Sequence, residues 1–406
     1  MTNREIQELT RNFVADTYRR FPVAFVRGKG ARLQDADGKG YLDFVAGLAV
    51  CNLGHCHPKV TEAIKKQAGT LIHTSNLYHI GPQARLAKLL CENSFADKVF
   101  FSNSGAEANE AAIKLVRKFF SLKGESRFKI ITMEKSFHGR TMATMSATGQ
   151  RKFQEGFEPL LEKFVYVPFN DIGAVKKAVK KDTAAVMVEP IQGEGGVNVP
   201  SPGYLKGLKA LCAESGILLI FDEVQVGMGR TGTLFAYENY GVKPDVMTLA
   251  KGLGGGFPIG AMLAKDEIAR AFRPGSHAST FGGNHLATSA GIAAVNATIR
   301  GGVLDNCKKV GGYLFERLSG LKKDFPFIKE IRGMGLIWGM ELKIPGSPIV
   351  DKCLKKGLLI NCTGETVLRF IPPLIIKEKD VDEMMRILKG VLKEVHPGPT
   401  ASRTRT

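Results

Sequence analysis

Short runs of consecutive apolar residues alternate with helical patterns through the middle of the chain. Six of these runs are almost entirely hydrophobic, which is typical of strands that are covered on both faces of a sheet. The predicted strands are Val99–Phe101, Lys129–Thr132, Phe164–Val167, Ala185–Val188, Ile217–Phe221 and Val246–Ala250. This alternation predicts an α/β domain with a largely parallel sheet, in which ligands collect beyond the carboxyl ends of the strands.

Two segments have the periodicity of amphipathic helices. The first, Ala106–Phe120, follows the first predicted strand and has one apolar face, formed by Ala108, Ala111, Ala112, Leu115, Val116 and Phe119. The second begins at Asp380 and also has one apolar side, formed by Val381, Met384, Met385, Leu388, Val391 and Leu392. Both segments are predicted to be α-helices with one buried face.

The two ends of the chain differ from this middle part. Turn signals bracket a short strand-like stretch, Ala31–Leu33, and a Gly-Met-Gly segment, Gly333–Gly335, lies near the other end. We interpret residues 1–57 and 301–396 as a smaller α+β domain built from both chain ends, and residues 58–300 as the large domain. Residues 397–406 lack apolar periodicity and are predicted to be disordered.

Length, composition and charge exclude several classes of protein. The chain has 406 residues, of which 44% are hydrophobic and 24% charged, so two or three ordinary globular domains are expected. Without a run of 18 apolar residues, we expect no membrane span. The formal net charge of +18 is spread along the chain, which indicates a solvated basic surface suited to anionic small molecules. No nucleic-acid-binding motif accompanies it, and we expect no nucleic-acid partner.

The cysteines and the N-terminus indicate where the protein works. Seven cysteines are irregularly spaced without a C-x-x-C pair, which is typical of reduced thiols. The first ten residues are polar and contain Glu5 and Glu8, unlike a signal or transit peptide. We therefore expect a cytoplasmic protein.

A lysine follows the last predicted strand directly. Lys251 comes after the apolar run Val246–Ala250 and before a glycine-rich turn, 252–256, whose backbone can approach a ligand closely. Partial desolvation at such a position lowers the pKa of a lysine and makes it a nucleophilic amine. A lysine that reaches into solvent is the alternative.

An aspartate ends the preceding predicted strand. Asp222 closes the run Ile217–Phe221, and a carboxylate at the end of a buried strand needs a partner. Only 29 residues separate it from Lys251, about one strand–helix–strand unit, so the two side chains could face one site. Pyridoxal phosphate (PLP) requires such an anion beside its ring nitrogen. A helix cap or a metal ligand are the alternatives for Asp222.

Three further segments carry candidate binding groups. Ser104, Gly105 and Ala106 lie in a turn before a helix, where free N–H groups and the helix dipole favour an anion, although an ordinary helix cap fits equally well. In Ser136–Arg140, an aromatic ring could stack on a planar ligand and an arginine could bind a carboxylate. Arg369 lies in an apolar stretch and needs an anionic partner from the protein or from a substrate.

A cluster of possible metal ligands is a weaker candidate. Cys51, His55, Cys56 and His57 lie close in sequence, but the three consecutive ones point in divergent directions and no second cluster supplies the missing donors. We therefore expect no metal. The segment is better interpreted as a loop followed by a helix that starts at Pro58.

Together these segments resemble class III aminotransferases, PLP enzymes of fold type I, and within them the acetylornithine aminotransferase branch. The resemblance runs from about Phe21 to Val395. Five segments carry it: Asn52–Pro58, His73–Tyr78, Phe101–Ala112, Leu218–Met262 and Val367–Leu374. It implies a large α/β domain with a mainly parallel sheet between helices, and a smaller α+β domain from both chain ends. One departure is His285, where proline is more usual in the family, so the local loop shape is open.

The resemblance implies a role for each residue around the cofactor. Lys251 holds PLP as a Schiff base and later moves a proton between the substrate carbon and the cofactor. Asp222 pairs with the ring nitrogen, and Gln225 reaches the phenolic oxygen. Phe137 and Val224 lie on the two faces of the ring.

The phosphate and the substrate are implied to bind at separate positions. Gly105 and Ala106 hold the phosphate, with Thr280 of the partner subunit of a homodimer. Arg140 and Ser279 contact the amino-acid substrate. A second substrate carboxylate binds Arg369, and Glu194 pairs with that arginine when the carboxylate is absent.

The implied reaction transfers the δ-amino group of N2-acetyl-L-ornithine to 2-oxoglutarate. The products are N-acetyl-L-glutamate 5-semialdehyde and L-glutamate, in arginine biosynthesis. Four alternative donors remain: N-succinyl-diaminopimelate, succinylornithine, ornithine and 4-aminobutyrate. The related enzymes that use them share the catalytic residues named here. A PLP aminomutase, a PLP decarboxylase and a non-catalytic binding protein are more remote alternatives.

Overall fold

Residues 1–395, the part of the chain that the computed structural model describes, form fifteen strands and thirteen α-helices. The strands are β1 (Phe25–Lys29), β2 (Arg32–Asp35), β3 (Gly40–Asp43), β4 (Lys98–Ser102), β5 (Lys129–Met133), β6 (Phe164–Val167), β7 (Thr183–Val188), β8 (Leu218–Asp222), β9 (Val246–Leu249), β10 (Gly260–Ala264), β11 (Ile328–Met334), β12 (Ile337–Leu342), β13 (Leu358–Leu359), β14 (Asn361–Thr363) and β15 (Val367–Phe370). The helices are α1 (Asn3–Phe13), α2 (Ala46–Ala49), α3 (Pro58–Ala68), α4 (Gly81–Glu92), α5 (Gly105–Leu122), α6 (Met142–Ala147), α7 (Ile172–Ala178), α8 (Tyr204–Ser215), α9 (Asp266–Ala269), α10 (His285–Arg300), α11 (Val303–Gly320), α12 (Ser347–Lys355) and α13 (Glu378–Val395).

Seven strands form the central sheet, in the order β4-β10-β9-β8-β7-β5-β6. All six predicted strands belong to this sheet and run in the same direction. The seventh, β10, was not predicted and is antiparallel to both of its neighbours. The fold is therefore α/β with a mostly parallel sheet, as the alternation of strands and helices predicts.

Both faces of the central sheet are covered, which explains its continuously apolar strands. Along β7, Ala185 and Met187 pack into one hydrophobic cluster together with residues of α5. Val186 and Val188, which point to the opposite face, pack into a second cluster with residues of α4 and α8. Because successive side chains of a strand alternate between faces, neither face tolerates polar positions here.

The two chain ends meet in one sheet. β13 pairs in parallel with β3 in the four-stranded sheet β1-β2-β3-β13, and the second small sheet has the order β11-β12-β15-β14. The C-terminal helix α13 begins at Glu378, two residues before the predicted start, and all six residues of its predicted apolar side are buried. These elements form the smaller part of the fold, whereas the boundaries at residues 57 and 300 stay predictions. The predicted tail, 397–406, lies outside the described residues.

None of the helices formed by residues 1–395 combines the length and the apolarity needed to cross a bilayer.

Candidate active site

A cavity of about 440 Å³ lies beyond the carboxyl ends of β4, β7, β8 and β9. Ten of the thirteen predicted site residues line it: Ser104, Gly105, Ala106, Phe137, Arg140, Glu194, Asp222, Val224, Gln225 and Lys251. The position agrees with the rule that ligands bind beyond the carboxyl ends of parallel strands.

Lys251 lies two residues after the end of β9 and has a positive φ of 44°, which a residue with a side chain rarely adopts. The next residue must be glycine, since a Cβ on Gly252 would lie 2.4 Å from Nδ2 of Asn52. Burial lowers the pKa of Lys251, although the nearby charge of Glu194 acts in the opposite direction. No hydrogen-bond or ion-pair partner of its amine is found among residues 1–395. The amine therefore borders the cavity without a partner from the protein.

Asp222, the last residue of β8, is held by three donors. Its Oδ2 accepts from Nδ2 of Asn109 and from Nδ1 of His138, each at 2.8 Å. Its Oδ1 accepts from the backbone N–H of Val224 at 3.0 Å. The carboxylate is thus fixed in one orientation at the cavity wall, as the partner of a ring N–H would need to be.

Asn109 and His138 were missed by the sequence reasoning. Asn109 lies on the buried face of α5, where it also donates to the carbonyl of His138 at 2.7 Å and accepts from Oγ1 of Thr248 at 2.7 Å. His138 is buried, and its backbone N–H donates to Oγ1 of Thr148 at 2.9 Å. An asparagine on the apolar face of a predicted helix was the available signal.

The N-terminus of α5 opens into the cavity. Ser104 caps the helix, since its Oγ accepts from the N–H of Glu107 at 3.2 Å. The N–H groups of Gly105 and Ala106 have no acceptor within residues 1–395, and they lie at the positive end of an 18-residue helix. A Cβ on Gly105 would lie 2.7 Å from Cγ1 of Val224. The turn therefore combines a helix cap with an anion site, so both interpretations of this segment hold together.

An aromatic side chain and an aliphatic one face the cavity from different elements. Phe137 contacts Phe153 edge to face, with ring centroids 5.6 Å apart, and Val224 follows β8. The guanidinium of Arg140 lies 4.1 Å from the centroid of the Phe153 ring. Arg140 is exposed and has no carboxylate partner in the described part of the chain. It remains available for an anionic ligand.

A buried ion pair closes one end of the cavity. Nη1 of Arg369, which is fully buried on β15, donates to Oε1 of Glu194 at 2.8 Å. Gln225 bridges the pair, because its Nε2 donates to Glu194 at 3.0 Å and its Oε1 accepts from Arg369 at 3.1 Å. Burial acts to raise the pKa of Glu194, but the charges of Arg369 and Lys251 outweigh it and lower that pKa to about 2. Glu194 therefore stays a carboxylate at neutral pH.

Glu189 is a further cavity residue that the sequence reasoning missed. It follows β7 just as Asp222 ends β8, so its position at a strand end was the available signal. Burial raises the pKa of Glu189 to about 7, with the charge of His138 acting against this shift and that of Asp222 adding to it. Its carboxylate accepts from the backbone N–H groups of Phe137 and Gly193, at 2.9 and 3.3 Å.

Three predicted residues do not line the cavity of this single chain: Arg369, which contacts Glu194 and Gln225 of the wall, and Ser279 and Thr280. Ser279 accepts at Oγ from Nδ2 of Asn103 at 3.2 Å, and Asn103 lines the cavity, so Ser279 is one residue away from it. Thr280 is exposed on the surface and does not line the cavity. The positions of Ser279 and Thr280 do not contradict their expected roles. Ser279 adjoins the cavity wall, and Thr280 was expected to act in the site of a partner subunit.

The segment with possible metal ligands forms other contacts. Nε2 of His55 lies 2.7 Å from Oδ2 of Asp43, and hydrogen bonds to Asp43 and to Cys51 raise the pKa of His55 to about 10. No group of three or more His, Cys, Asp or Glu side chains within residues 1–395 could hold a metal ion. Pro58 is the first residue of α3, as predicted. His285 is likewise the first residue of α10, the position that suits the family's usual proline.

Comparison with known proteins gives the same family throughout. The model of the class III aminotransferase family matches residues 13–392. The chain is 56% identical to the acetylornithine aminotransferase of Caldanaerobacter subterraneus subsp. tengcongensis, over 95% of this chain and 98% of that protein. It is 53% identical to the enzyme of the same name from Methanocaldococcus jannaschii, over 96% and 98% of the two chains.

Solved structures agree with the sequence comparison. The N-acetylornithine aminotransferase of Stenotrophomonas maltophilia superposes with a TM-score of 0.82 at 38% identity, over 96% of this chain and 98% of that one. The ornithine aminotransferase of Toxoplasma gondii superposes with a TM-score of 0.94 at 35% identity, over 97% and 96%. On this evidence the chain belongs to the class III aminotransferases.

Proposed function

We propose that this aminotransferase moves the δ-amino group of N2-acetyl-L-ornithine to 2-oxoglutarate with PLP as cofactor. The products are N-acetyl-L-glutamate 5-semialdehyde and L-glutamate, a step of arginine biosynthesis in the cytoplasm. The observation that carries the proposal is the 56% identity, over nearly the whole chain, to a protein that bears this activity in its name. The basic character of the chain and the unpaired Arg140 support binding of anionic substrates.

The residues of the cavity fit PLP. When bound, PLP supplies an aldehyde for a primary amine and a protonated ring that withdraws electrons from the reacting carbon. Lys251 would hold it covalently, and the free N–H groups of Gly105 and Ala106 would bind its phosphate. The fixed carboxylate of Asp222 would keep the ring nitrogen protonated.

Two side chains would orient the ring and one would move protons. Phe137 and Val224 border the cavity and would pack on the faces of the ring, while Gln225 would reach its phenolic oxygen. Burial lowers the pKa of Lys251, which favours the neutral amine that proton transfer requires. Nζ of Lys251 would then move a proton from the substrate carbon that carries the amine to the cofactor, and would move a proton in the opposite direction in the second half-reaction.

The pair of Glu194 and Arg369 would handle two different substrates. Arg140, together with Ser279, would bind the α-carboxylate of the amino-acid substrate. With the δ-amine donor, Glu194 neutralises Arg369, as in the present geometry. With 2-oxoglutarate, the second carboxylate would replace Glu194 on Arg369, so the buried guanidinium keeps an anionic partner in both half-reactions.

We also propose that the enzyme is a homodimer. Leu77, Tyr78 and Phe281 are 85%, 70% and 59% exposed, and Phe281 directly follows Thr280. Nδ2 of Asn76 donates to the carbonyl of Ser279 at 3.1 Å, which joins the two segments into one surface. A contiguous apolar surface of this kind marks a protein interface, and a second copy would bring Thr280 towards the partner's phosphate site.

Ornithine is the alternative donor with an observation in its favour. The ornithine aminotransferase of Toxoplasma gondii superposes with the higher TM-score, 0.94 against 0.82 for the N-acetylornithine enzyme of Stenotrophomonas maltophilia. The higher sequence identity to acetylornithine aminotransferases favours the acetylated donor. The main chain is shared by both groups, so side chains at the cavity decide between the donors.

A donor screen of the purified enzyme tests the proposal. The enzyme is supplied with PLP and 2-oxoglutarate, and glutamate formation is measured with each donor in turn. We expect the largest kcat/KM with N2-acetyl-L-ornithine, ahead of ornithine, succinylornithine, N-succinyl-diaminopimelate and 4-aminobutyrate. A higher kcat/KM for another donor would make that donor the substrate in place of N2-acetyl-L-ornithine. If no donor gives glutamate, the proposed reaction is wrong.

A further inference from the structure

The carboxylate of Glu189 joins two segments of the cavity wall. It lies directly after β7 and is only 5% exposed. Its Oε1 accepts from the N–H of Phe137 at 2.9 Å, and its Oε2 accepts from the N–H of Gly193 at 3.3 Å. Since the two oxygens belong to one rigid group, the two backbone segments are held at a fixed separation.

One of these segments carries the movable carboxylate of the site. Gly193 immediately precedes Glu194, and a Cβ at Gly193 would lie 1.6 Å from Oε1 of Gln225, so the backbone packs tightly there. On the other side, the hydroxyl of Thr363 donates to the carbonyl oxygen of Glu194. The main chain around Glu194 is therefore anchored before and after that residue.

The side chain of Glu194 has space on two sides. It borders the cavity of about 440 Å³ and also a second, polar cavity of about 660 Å³ towards the surface. Within residues 1–395, no other residue lines both cavities. The second cavity thus provides space for the carboxylate when it leaves Arg369.

We propose that Glu189 is a positioning residue for the switch of the site from the amino donor to 2-oxoglutarate. It anchors the peptide before Glu194, so that only the side chain moves, and it keeps Phe137 in place while this happens. The inference depends on the proposed use of Arg369 by 2-oxoglutarate. While Glu194 pairs with Arg369, that ion pair itself holds the segment. After Glu194 leaves, the contacts to Glu189 and Thr363 still hold the peptides on its two sides, and Asn198 and Arg332 hold the segment that follows.

The replacement Glu189→Gln tests the proposal because an amide oxygen can accept while the amide nitrogen cannot. The variant would leave one of the two N–H groups without an acceptor.

The two half-reactions of the holoenzyme are followed separately by the absorbance of its cofactor, first with the amino donor and then with 2-oxoglutarate. We expect the 2-oxoglutarate concentration for half-maximal rate to rise about tenfold, the effect of losing one buried hydrogen bond. The corresponding donor concentration should rise less than about threefold, since the ion pair holds the segment in that half-reaction.

Glu223→Gln is the matched control. Glu223 is also fully buried, and its carboxylate also accepts two backbone N–H groups, those of Ala236 and Tyr237, at 2.6 and 2.7 Å. It does not line the cavity. Its replacement should lower the melting temperature, as any loss of a buried acceptor does, without changing the ratio of the two half-saturation concentrations.

Three results separate the possible outcomes. A wild-type enzyme that does not use 2-oxoglutarate contradicts the proposed function before any variant is compared. If Glu189→Gln changes the half-saturation concentrations of both half-reactions equally, or changes neither, the proposed role of Glu189 is wrong and the proposed function stands. If Glu189→Gln does not fold, Glu189→Asp decides by the same criterion, because its shortened side chain keeps the charge and cannot reach both N–H groups.

Discussion

The side chain of Lys251 ends in a cavity between the carboxylate of Asp222 and the ion pair of Glu194 with Arg369. A half-buried amine among charges of both signs is costly, and such groups cluster at functional sites. Its backbone has a positive φ, so the local geometry is strained as well. Both costs fall on one residue, which is typical of a functional position.

Replacement of Lys251 by alanine tests this interpretation directly. Lys251→Ala should reduce transamination by about a thousandfold or more, because a positioned acid–base group is lost together with the covalent link. Borohydride reduction of the wild-type holoenzyme should attach the cofactor irreversibly to the peptide that contains Lys251, as read by mass spectrometry. The exposed Lys177→Ala is the control and should keep both properties. Full turnover in Lys251→Ala would refute the assignment.

Sequence could identify residues that stand at the ends of apolar runs, and it could not identify their partners. Lys251 and Asp222 are recognisable because each interrupts a hydrophobic pattern at a strand end. The contact between Asp222 and Asn109 joins positions 113 residues apart, and that between Asp222 and His138 joins positions 84 apart. No local pattern encodes such pairs. The three-dimensional arrangement of the strands was needed to find them.

Among the elements, β10 shows why local patterns fail. Gly260–Ala264 is a short apolar run that follows a glycine-rich turn and a proline. Its local sequence pattern therefore does not distinguish a strand from the continuation of a loop. It is a strand because β4 and β9 lie on either side of it and satisfy its backbone groups. Tertiary pairing, not intrinsic preference, decides its structure.

The start of α5 gives a prediction at the scale of an element. Gly105→Ala would place a methyl group 2.7 Å from Cγ1 of Val224 and displace that side chain towards the cofactor site. We expect the affinity for PLP to fall by about tenfold, which corresponds to about 1.4 kcal/mol. The measurement is the titration of apoenzyme with PLP, followed by cofactor absorbance.

The chain offers a close control for this glycine. Gly81 is also the first residue of a helix, α4, but a Cβ there would meet nothing within 4 Å. Gly81→Ala should leave the PLP affinity unchanged and stabilise the protein slightly, because alanine reduces the freedom of the unfolded chain. Equal PLP affinities in the two variants would show that contact with Val224 is unimportant.

The pair of His55 and Asp43 links the end of β3 to the turn before α3. Its hydrogen bonds raise the pKa of His55 from 6.5 to about 10 in the folded protein. The stabilisation is therefore complete below about pH 6.5, declines as the pH rises, and is absent above about pH 10. We expect wild type to exceed His55→Gln in melting temperature by about 2 °C or more at pH 6. That difference should vanish by pH 10.5, and a difference that is constant with pH would mean that His55 stabilises the turn only by packing.

At the scale of the whole molecule, Thr280, one of the predicted phosphate ligands, lies outside the cavity of its own chain. Gly105 and Ala106 offer two N–H groups to an anion, while Thr280 lies outside on an apolar surface with Phe281. A second copy that covers this surface would bury the apolar side chains and complete the phosphate site in one step. This arrangement stays a prediction from the family resemblance, since no pattern within one chain describes the interface between two.

Complementation between two defective subunits tests this arrangement. Thr280→Val should lower activity by about tenfold through a lost phosphate hydrogen bond, and Lys251→Ala should be inactive. In a mixed dimer, the subunit with Lys251 intact receives a wild-type Thr280 from its Lys251→Ala partner, so one of the two sites is whole.

Co-expression with two different affinity tags isolates this mixed dimer, and its activity should rise to about half that of wild type, since one site of two is restored. If Thr280 served its own subunit, the mixed dimer would have one weakened and one inactive site, and its activity would be about half that of the Thr280→Val enzyme. A chain that sediments as a monomer at working concentration would remove the basis of the prediction altogether.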